Sequence, residues 1–194
     1  MSAVVLVEGE SDKVALDALA RRLGRDLASE GVSILSMGGA TSVGNFLLDT
    51  LVSVDHSTML AGLCDQAEAP HFSRALERAG LGSDLSVSGM EALGFFVCYR
   101  DLEDELIRSL GLAAIEGILT EQGELRSFRT FQNQPPWRDK PLDEQFHRFS
   151  GIKSGRKVRY GRALVDALDL SKVPRPLAGV LASTRGPKRH TDTP

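Results

Sequence analysis

The chemically most telling residues of this 194-residue chain are acids placed where apolar runs stop. Val4-Val5-Leu6-Val7 ends at Glu8-Gly9, and Asp12 follows four residues after the glutamate. Thr58-Met59-Leu60-Ala61-Gly62-Leu63-Cys64 ends at Asp65, with Glu68 close behind. A further run, Leu93 to Tyr99, leads into Arg100-Asp101-Leu102-Glu103-Asp104-Glu105. If these runs are parallel strands of one sheet, their acids converge at its carboxyl edge, where open α/β sheets bind ligands. Several carboxylates in one pocket repel strongly unless cations sit among them. Oxygen donors without His or Cys point to Mg2+ or Mn2+. Two such ions about 4 Å apart form a clamp for in-line cleavage of a phosphodiester bond. Helix capping is the competing reading, strongest for Asp104 and Glu105 and reasonable for Asp12. Capping alone does not account for three strand ends that share the feature.

The elements that must position these acids follow from periodicity. The first run, rich in β-branched residues, reads as a strand buried on both faces. Gly9 permits a turn, and Ser11 or Asp12 can cap a helix carrying Val14, Leu16, Leu19, Ala20 and Leu23 at helical spacing. Val32 to Met37 is a second strand, stopping at Gly38-Gly39-Ala40. Helical patterns span Ser42 to Val54, Pro70 to Ala79, and the stretch after Asp101 as far as Leu110, with Gly111 as its stop. Four strands alternating with helices, and no hairpin, predict an α/β fold with a mostly parallel four-stranded sheet covered on both faces. Beyond residue 111 the patterns are helical only: Ala113–Glu121, Leu142–Ser150, Val158–Leu168 and Pro176–Leu181, with a break at Gln134-Pro135-Pro136-Trp137. The expected organisation is an α/β core over 1–111, a C-terminal helical appendage over 112–184 and a disordered tail over 185–194.

Composition narrows the class. Hydrophobic residues make up 42% and charged residues 25%, as in a globular protein with a sizeable core. No apolar run approaches the roughly 20 residues that span a bilayer, and acids follow the N-terminus too soon for a signal peptide. Cys64 and Cys98 lie inside apolar runs and read as reduced core residues of a cytoplasmic protein. The net charge of −3 hides an asymmetry. Residues 1–105 hold 7 Lys/Arg against 17 Asp/Glu, and residues 106–194 hold 16 against 9. An acidic half joined to a basic half suits a cation-dependent enzyme acting on a polyanion. Other chemistries lack their residues. His56, His71, His147 and His190 are scattered, which argues against zinc. There is no GxSxG, no GxGxxG after the first strand, and Gly38-Gly39-Ala40-Thr41-Ser42-Val43-Gly44 lacks the GK[ST] of a phosphate loop. No nucleotide is expected to bind this chain, and Gly38-Gly39 reads as a tight turn near the acidic edge.

As an ordered set, Val7-Glu8-Gly9-Glu10-Ser11-Asp12, Asp65 and Asp101-Leu102-Glu103 resemble the motifs of a Toprim domain. The closer likeness is to the Toprim region of the OLD (overcoming lysogenization defect) family endonucleases. It continues through Arg108 and into Ser154-Gly155-Arg156-Lys157, covering most of residues 3–181. The resemblance implies a Rossmann-like Toprim fold and a nuclease using Mg2+ or Mn2+, with two ions. Glu8, Asp12 and Asp65 would hold one ion, and Asp101 and Glu103 would hold or position the other. Glu8, Asp65 and Asp101 would be catalytic with Lys157, which looks like the family lysine that supports the transition state. Two departures stand out. The family's Asp-x-Asp reads Asp65-Gln66-Ala67 here, leaving Glu68 as the candidate replacement. OLD proteins also carry an ABC-type ATPase ahead of the Toprim region, so ATP control would come from a separate polypeptide or be absent.

The basic half then has a natural role. Lys153, Arg156, Arg159 and Arg162 are candidates for contacts to nucleic-acid phosphates. Phe146, Phe149 and Tyr160 lie near them as candidates for base stacking, although the helical spacing of the two phenylalanines favours the core. DNA is the expected partner. Structured RNA, a separate ATPase partner and homo-oligomerisation stay open, and no membrane is involved.

Overall fold

A computed structural model of the chain describes residues 2–39, 43–53, 58–153 and 155–185. Strands β1 (Ala3–Val7), β2 (Val32–Ser36), β3 (Met59–Asp65) and β4 (Phe95–Cys98) form one sheet in the order β2-β1-β3-β4. Every neighbouring pair is parallel, as expected of strands separated by helices rather than hairpin turns. The register places Val7 opposite Leu63 and Asp65 opposite Cys98, so β1, β3 and β4 end side by side at one edge.

Ten α-helices complete the described structure. α1 (Glu10–Arg22), α2 (Val43–Ser53), α3 (Ala69–Arg78), α4 (Val87–Ala92) and α5 (Leu102–Leu110) belong to the alternating half. α6 (Ala113–Glu121), α7 (Leu125–Gln132), α8 (Leu142–Gly151), α9 (Arg156–Ala167) and α10 (Arg175–Ser183) follow it. The short α4 and α7 are absent from the sequence expectations above. Each spans fewer than three turns, too few for periodicity to stand out, and α7 owes its place to the burial of Phe128 and Phe131. The expectations for Ala40, Thr41, Ser42, Val54, His56, Ser154 and the tail 186–194 lie outside the described residues.

β1 is buried along its whole length, and its alternating side chains feed two cores. Val4 and Leu6 pack with Leu47 of α2, Phe72 and Leu76 of α3, Met90 of α4 and Phe95. Ala3, Val5 and Val7 pack on the opposite face with Leu16 and Leu19 of α1, Leu106 of α5, Leu164 of α9 and Leu177 of α10. The C-terminal helices therefore share a core with the sheet and cover one of its faces. Arg22 fastens them further, donating to the carbonyls of Val165 (2.5 Å) and Leu168 (2.6 Å). Buried Arg25 does the same toward Leu181 O (2.6 Å) and Thr184 Oγ1 (2.9 Å), and its charge is balanced by Glu30. Cys64 and Cys98 are buried and free, as their apolar surroundings in the sequence predict. Among the described residues no helix is long and apolar enough to cross a membrane.

Phe128 sits at the centre of an aromatic group with Phe131, Phe146 and Phe149, and it is fully buried. Because that group belongs to the core the sheet also uses, Phe128→Ala is expected to cost about 3–5 kcal/mol. It should lower the urea midpoint in one cooperative transition seen equally by far-UV and near-UV circular dichroism. Separate transitions for the two probes, or a loss under about 1 kcal/mol, would contradict a shared core.

Candidate metal centre

Each candidate acid reaches the carboxyl edge by a local device. After β1, Gly9 is the extended N-cap residue of α1, a role the sequence reading gave to Ser11 or Asp12. Asp12 instead reaches back, and its Oδ2 accepts from the Gly9 N–H at 2.8 Å, while its other oxygen has no hydrogen bond among the described residues. Beside it the chain leaves β2 through Gly38 and Gly39, at φ 69° and 131°, values that side chains resist. Gly39 N–H donates to Glu8 O at 3.1 Å, which ties this turn to the end of β1 as expected. After β4, Asp101 caps α5 by accepting from the Asp104 N–H at 2.8 Å. From the C-terminal half, Gly155 (φ 74°) turns the chain into α9, whose first turn carries Lys157.

Glu8, Asp12, Asp65 and Lys157 line one cleft of about 410 Å³, together with Ser36 and the Gly38-Gly39 turn. Asp101 and Glu103 stand beside it, joined to it through Lys157. The Lys157 ammonium lies 3.4 Å from Glu103 Oε2, and Glu103 is 2% exposed against 46% for the lysine. The electrostatics record the crowding. Burial, then the charges of Glu8, Asp12 and Asp101, push Asp65 up to about 8. Burial likewise lifts Glu103 to about 7 against the pull of Lys157, and raises Asp12 against the Gly9 N–H and Lys157. Asp101 behaves differently: burial acts upward on it too, but the contacts with His147 and the Asp104 N–H prevail and hold it below its ordinary value. Lys157 is shifted up because Glu103, Asp12 and Asp101 outweigh its own desolvation.

The His147 ring is the contribution that the sequence conceals. From α8 its Nε2–H donates to Asp101 Oδ2, so both oxygens of Asp101 are engaged within the protein. No local signal singles out His147 from the other histidines; only the packing of α8 near α5 does. Glu68, the candidate for the missing second acid, begins α3, pairs with His71 at 3.7 Å and does not line the cleft.

Do these residues suit a divalent cation? Among the described residues, Glu8 Oε2 and Glu103 Oε1 are buried without a hydrogen-bond donor, and Glu103 Oε2 has only the Lys157 ammonium beside it. Buried orphan oxygens are rare and call for an explanation such as an ion. The donors are hard carboxylate oxygens, which Mg2+ and Mn2+ prefer. Among the described residues no three acids or histidines already form a closed ligand cage. Mg2+ does not require one, because it usually keeps several waters and takes one or two carboxylates. The residues fit a hydrated divalent ion.

The candidate nucleic-acid contacts fare unequally. Lys153 is exposed, with no ion pair among the described residues. Arg159 and Arg162 are half-exposed but paired with Glu124 (2.6 Å) and Asp166 (2.8 Å). Arg156 is an interior residue. It donates to Phe149 O (2.9 Å) and Glu124 Oε1 (3.0 Å), and its guanidinium covers the Phe149 ring at 4.0 Å. A guanidinium 5% exposed is placed to hold α7, α8 and α9 together, not to meet a phosphate. Phe146, Phe149 and Tyr160 are likewise core residues, at 1%, 3% and 0% exposure, which removes all three as stacking surfaces.

A carboxyl whose pKa is higher in the folded than in the unfolded state supports folding while it is protonated. Its contribution is full below the unfolded value near 4 and shrinks as pH rises through the folded value. For Asp65 and Glu103 the folded values are about 8 and about 7. The cation-free protein is therefore expected to lose thermal stability between about pH 4 and about pH 8. Asp65→Asn and Glu103→Gln should each flatten that decline, and Mg2+ should raise the melting temperature most at the alkaline end. Melts in EDTA with the same pH slope for wild type and both variants would remove the crowding argument.

Residues 1–49 match the family model for the overcoming lysogenization defect protein-like TOPRIM domain, the segment that contains Glu8, Asp12 and the Gly38-Gly39 turn. No curated protein matches the chain. Among solved structures, the C-terminal region of the Xanthomonas campestris pv. campestris OLD protein is similar at 22% identity and a TM-score of 0.66, over 94% of this chain and 93% of that one. The C-terminal region of the Burkholderia pseudomallei OLD protein is similar at 18% identity and a TM-score of 0.68, over 94% and 96%. At such identities the likeness carries the fold, and the fold agrees in having a parallel sheet flanked by helices. The chain thus carries an OLD-like Toprim segment over residues 1–49 and has, over nearly its whole length, the fold of the C-terminal region of OLD proteins.

Proposed function

We propose that this protein is a nuclease that hydrolyses phosphodiester bonds of DNA with the help of Mg2+ or Mn2+. The observation that supports the reading is the meeting of Glu8, Asp65 and Asp101 at one sheet edge, with Lys157 among them and buried oxygens of Glu8 and Glu103 that have no hydrogen-bond donor among the described residues. Glu8, Asp12 and Asp65 would hold one ion, and Asp101 and Glu103 the second. When bound, the ions would supply the positive charge that neutralises the scissile phosphate and its leaving oxygen. Lys157 adds a cation that does not depend on them. Its ammonium is held by Glu103 yet remains half in solvent, so it can face an incoming phosphate. A fixed charge of this kind is worth most where charge develops in the transition state. His147 and the Asp104 N–H keep the Asp101 carboxylate oriented and ionised. Lys153 and the outer faces of Arg159 and Arg162 would carry the flanking backbone of the nucleic acid, adding salt-sensitive affinity without sequence preference. The family likeness makes a separate ATPase subunit a partner to test.

Plasmid DNA incubated with Mg2+ or Mn2+ should be nicked or cut by the wild type. Glu8→Ala and Asp101→Ala should abolish the cutting, and Lys157→Ala should slow it by about 100-fold or more. Parallel digestion of structured RNA separates the two polymers. Equal activity of the wild type and all three variants would end the reading. So would inertness toward both polymers with either ion, if adding a separate ATPase subunit does not relieve it.

A further inference from the structure

The chain contains 8 Phe, 2 Tyr and 1 Trp. Ten of these rings are buried or partly buried, and Tyr99 alone is largely in solvent, at 69% exposure. Its position is not incidental. β4 ends at Cys98, which is in register with Asp65, so Tyr99 is the first residue past the strand and stands two residues before Asp101. The ring is also held from beneath. Its backbone N–H donates to Glu105 Oε1 at 2.8 Å. The Arg108 guanidinium lies 5.4 Å from the ring centroid, and it is fixed in turn by Asp104 and Glu105 at 2.8 Å each. Asp104 and Glu105 are the two acids of the Asp101–Glu105 run that the metal centre leaves over, and both are only 9% exposed. Desolvating two carboxylates is costly unless they are paired. Here the pairing yields an aromatic ring backed by a cation, with the rest of the ring in water, at the rim of the acidic edge. Arg100, exposed next to it, has no ion pair among the described residues.

We propose that Tyr99 is a stacking platform for an unpaired nucleobase of the substrate strand, with Arg100 taking the adjoining phosphate. The inference rests on the nuclease reading above and narrows it to a substrate class. A flat π surface beside an exposed guanidinium recognises a planar base and its phosphate whichever base it is. In a duplex the faces of the bases are already covered by their neighbours, so only an unpaired nucleotide can lie on the ring. Single strands, flaps and frayed ends near the scissile bond are then favoured over blunt duplex. A ring with a guanidinium already beside it has less freedom to lose on binding than an unsupported one.

The test uses the full chain with Ca2+, comparing an oligothymidylate of about 15 nucleotides with a blunt duplex of the same length by fluorescence anisotropy. A 2-aminopurine in the single strand reports stacking directly. Wild type should prefer the single strand and quench the 2-aminopurine. Tyr99→Ala should lower single-strand affinity about tenfold more than duplex affinity and lose the quench, whereas Tyr99→Trp should keep both. Equal losses for the two polymers, or an undisturbed quench in Tyr99→Ala, would overturn the platform. So would a self-association seen by sedimentation that Tyr99→Ala abolishes without changing the affinity for the oligonucleotide, since the ring would then be a protein contact. Because no cleavage is read, these results are independent of plasmid cutting. A wild type that cuts DNA while Tyr99→Ala binds like wild type fails the platform alone, and a wild type that binds as expected but cuts nothing fails the nuclease reading alone.

Discussion

Parallel strands deliver all their carboxyl ends to one side of a sheet, and in this chain the residues at or just beyond three adjacent ends are acids. The resulting repulsion is the constraint under which the rest of the molecule is arranged. Burial strengthens it, because a desolvated carboxylate loses the water that would otherwise stabilise its charge. Asp65 and Glu103 respond by holding their protons into the neutral range. Asp101 escapes this only because a backbone N–H and His147 stabilise its ionised form. One lysine, Lys157, faces Glu103, Asp12 and Asp101 together, a single positive charge against several negative ones. The imbalance leaves a place for cations and explains why buried oxygens there lack donors.

That lysine comes from the far half of the chain, and so does His147. The acidic edge is therefore not a property of the α/β half alone. Packing of α9 against α1, with Leu164 and Val165 buried beside Leu16 and Leu19, sets where Lys157 falls. The aromatic group around Phe128 sets where α8, and with it His147, falls. Arg22 binds the end of α9, and Arg25 binds α10, through main-chain carbonyls, contacts that need no particular side chain on the other side. Loosening any of these joints would move the two groups that temper the acids before it disturbed the acids themselves.

The basic half illustrates how one residue type divides its labour. Arg156 and Arg159 follow each other by three residues on α9, yet the first is sealed between Glu124 and the Phe149 ring while the second stands half in water. Glu124 is the pivot. Burial acts to raise its carboxyl, but hydrogen bonds from Tyr160, Arg159 and Arg156 prevail and hold it below its ordinary value. A sequence count of basic residues overstates the charge available to a polyanion, because part of it is consumed in fastening helices to one another.

The sequence by itself determined the strands, most of the helices and the identity of the acids at the edge. Those depend on short-range rules: apolar runs, glycine turns and caps within a few residues, all visible along the chain. It also determined that Cys64, Cys98, Phe146 and Phe149 lie inside, since their neighbours are apolar at strand or helix spacing. Other features were decided only by the tertiary structure. Gly9 displaced Ser11 and Asp12 as the N-cap residue because Asp12 bonds backwards. Helices α4 and α7 were too short for periodicity and are held by the core that receives Met90, Phe128 and Phe131. Arg156 went inward, Tyr160 was buried and Tyr99 left in water, although nothing in their local sequence separates the two tyrosines. His147 met Asp101 across 46 positions of sequence. Such pairings depend on which helix faces come together, and that is settled by the simultaneous packing of many side chains that no single stretch of sequence contains.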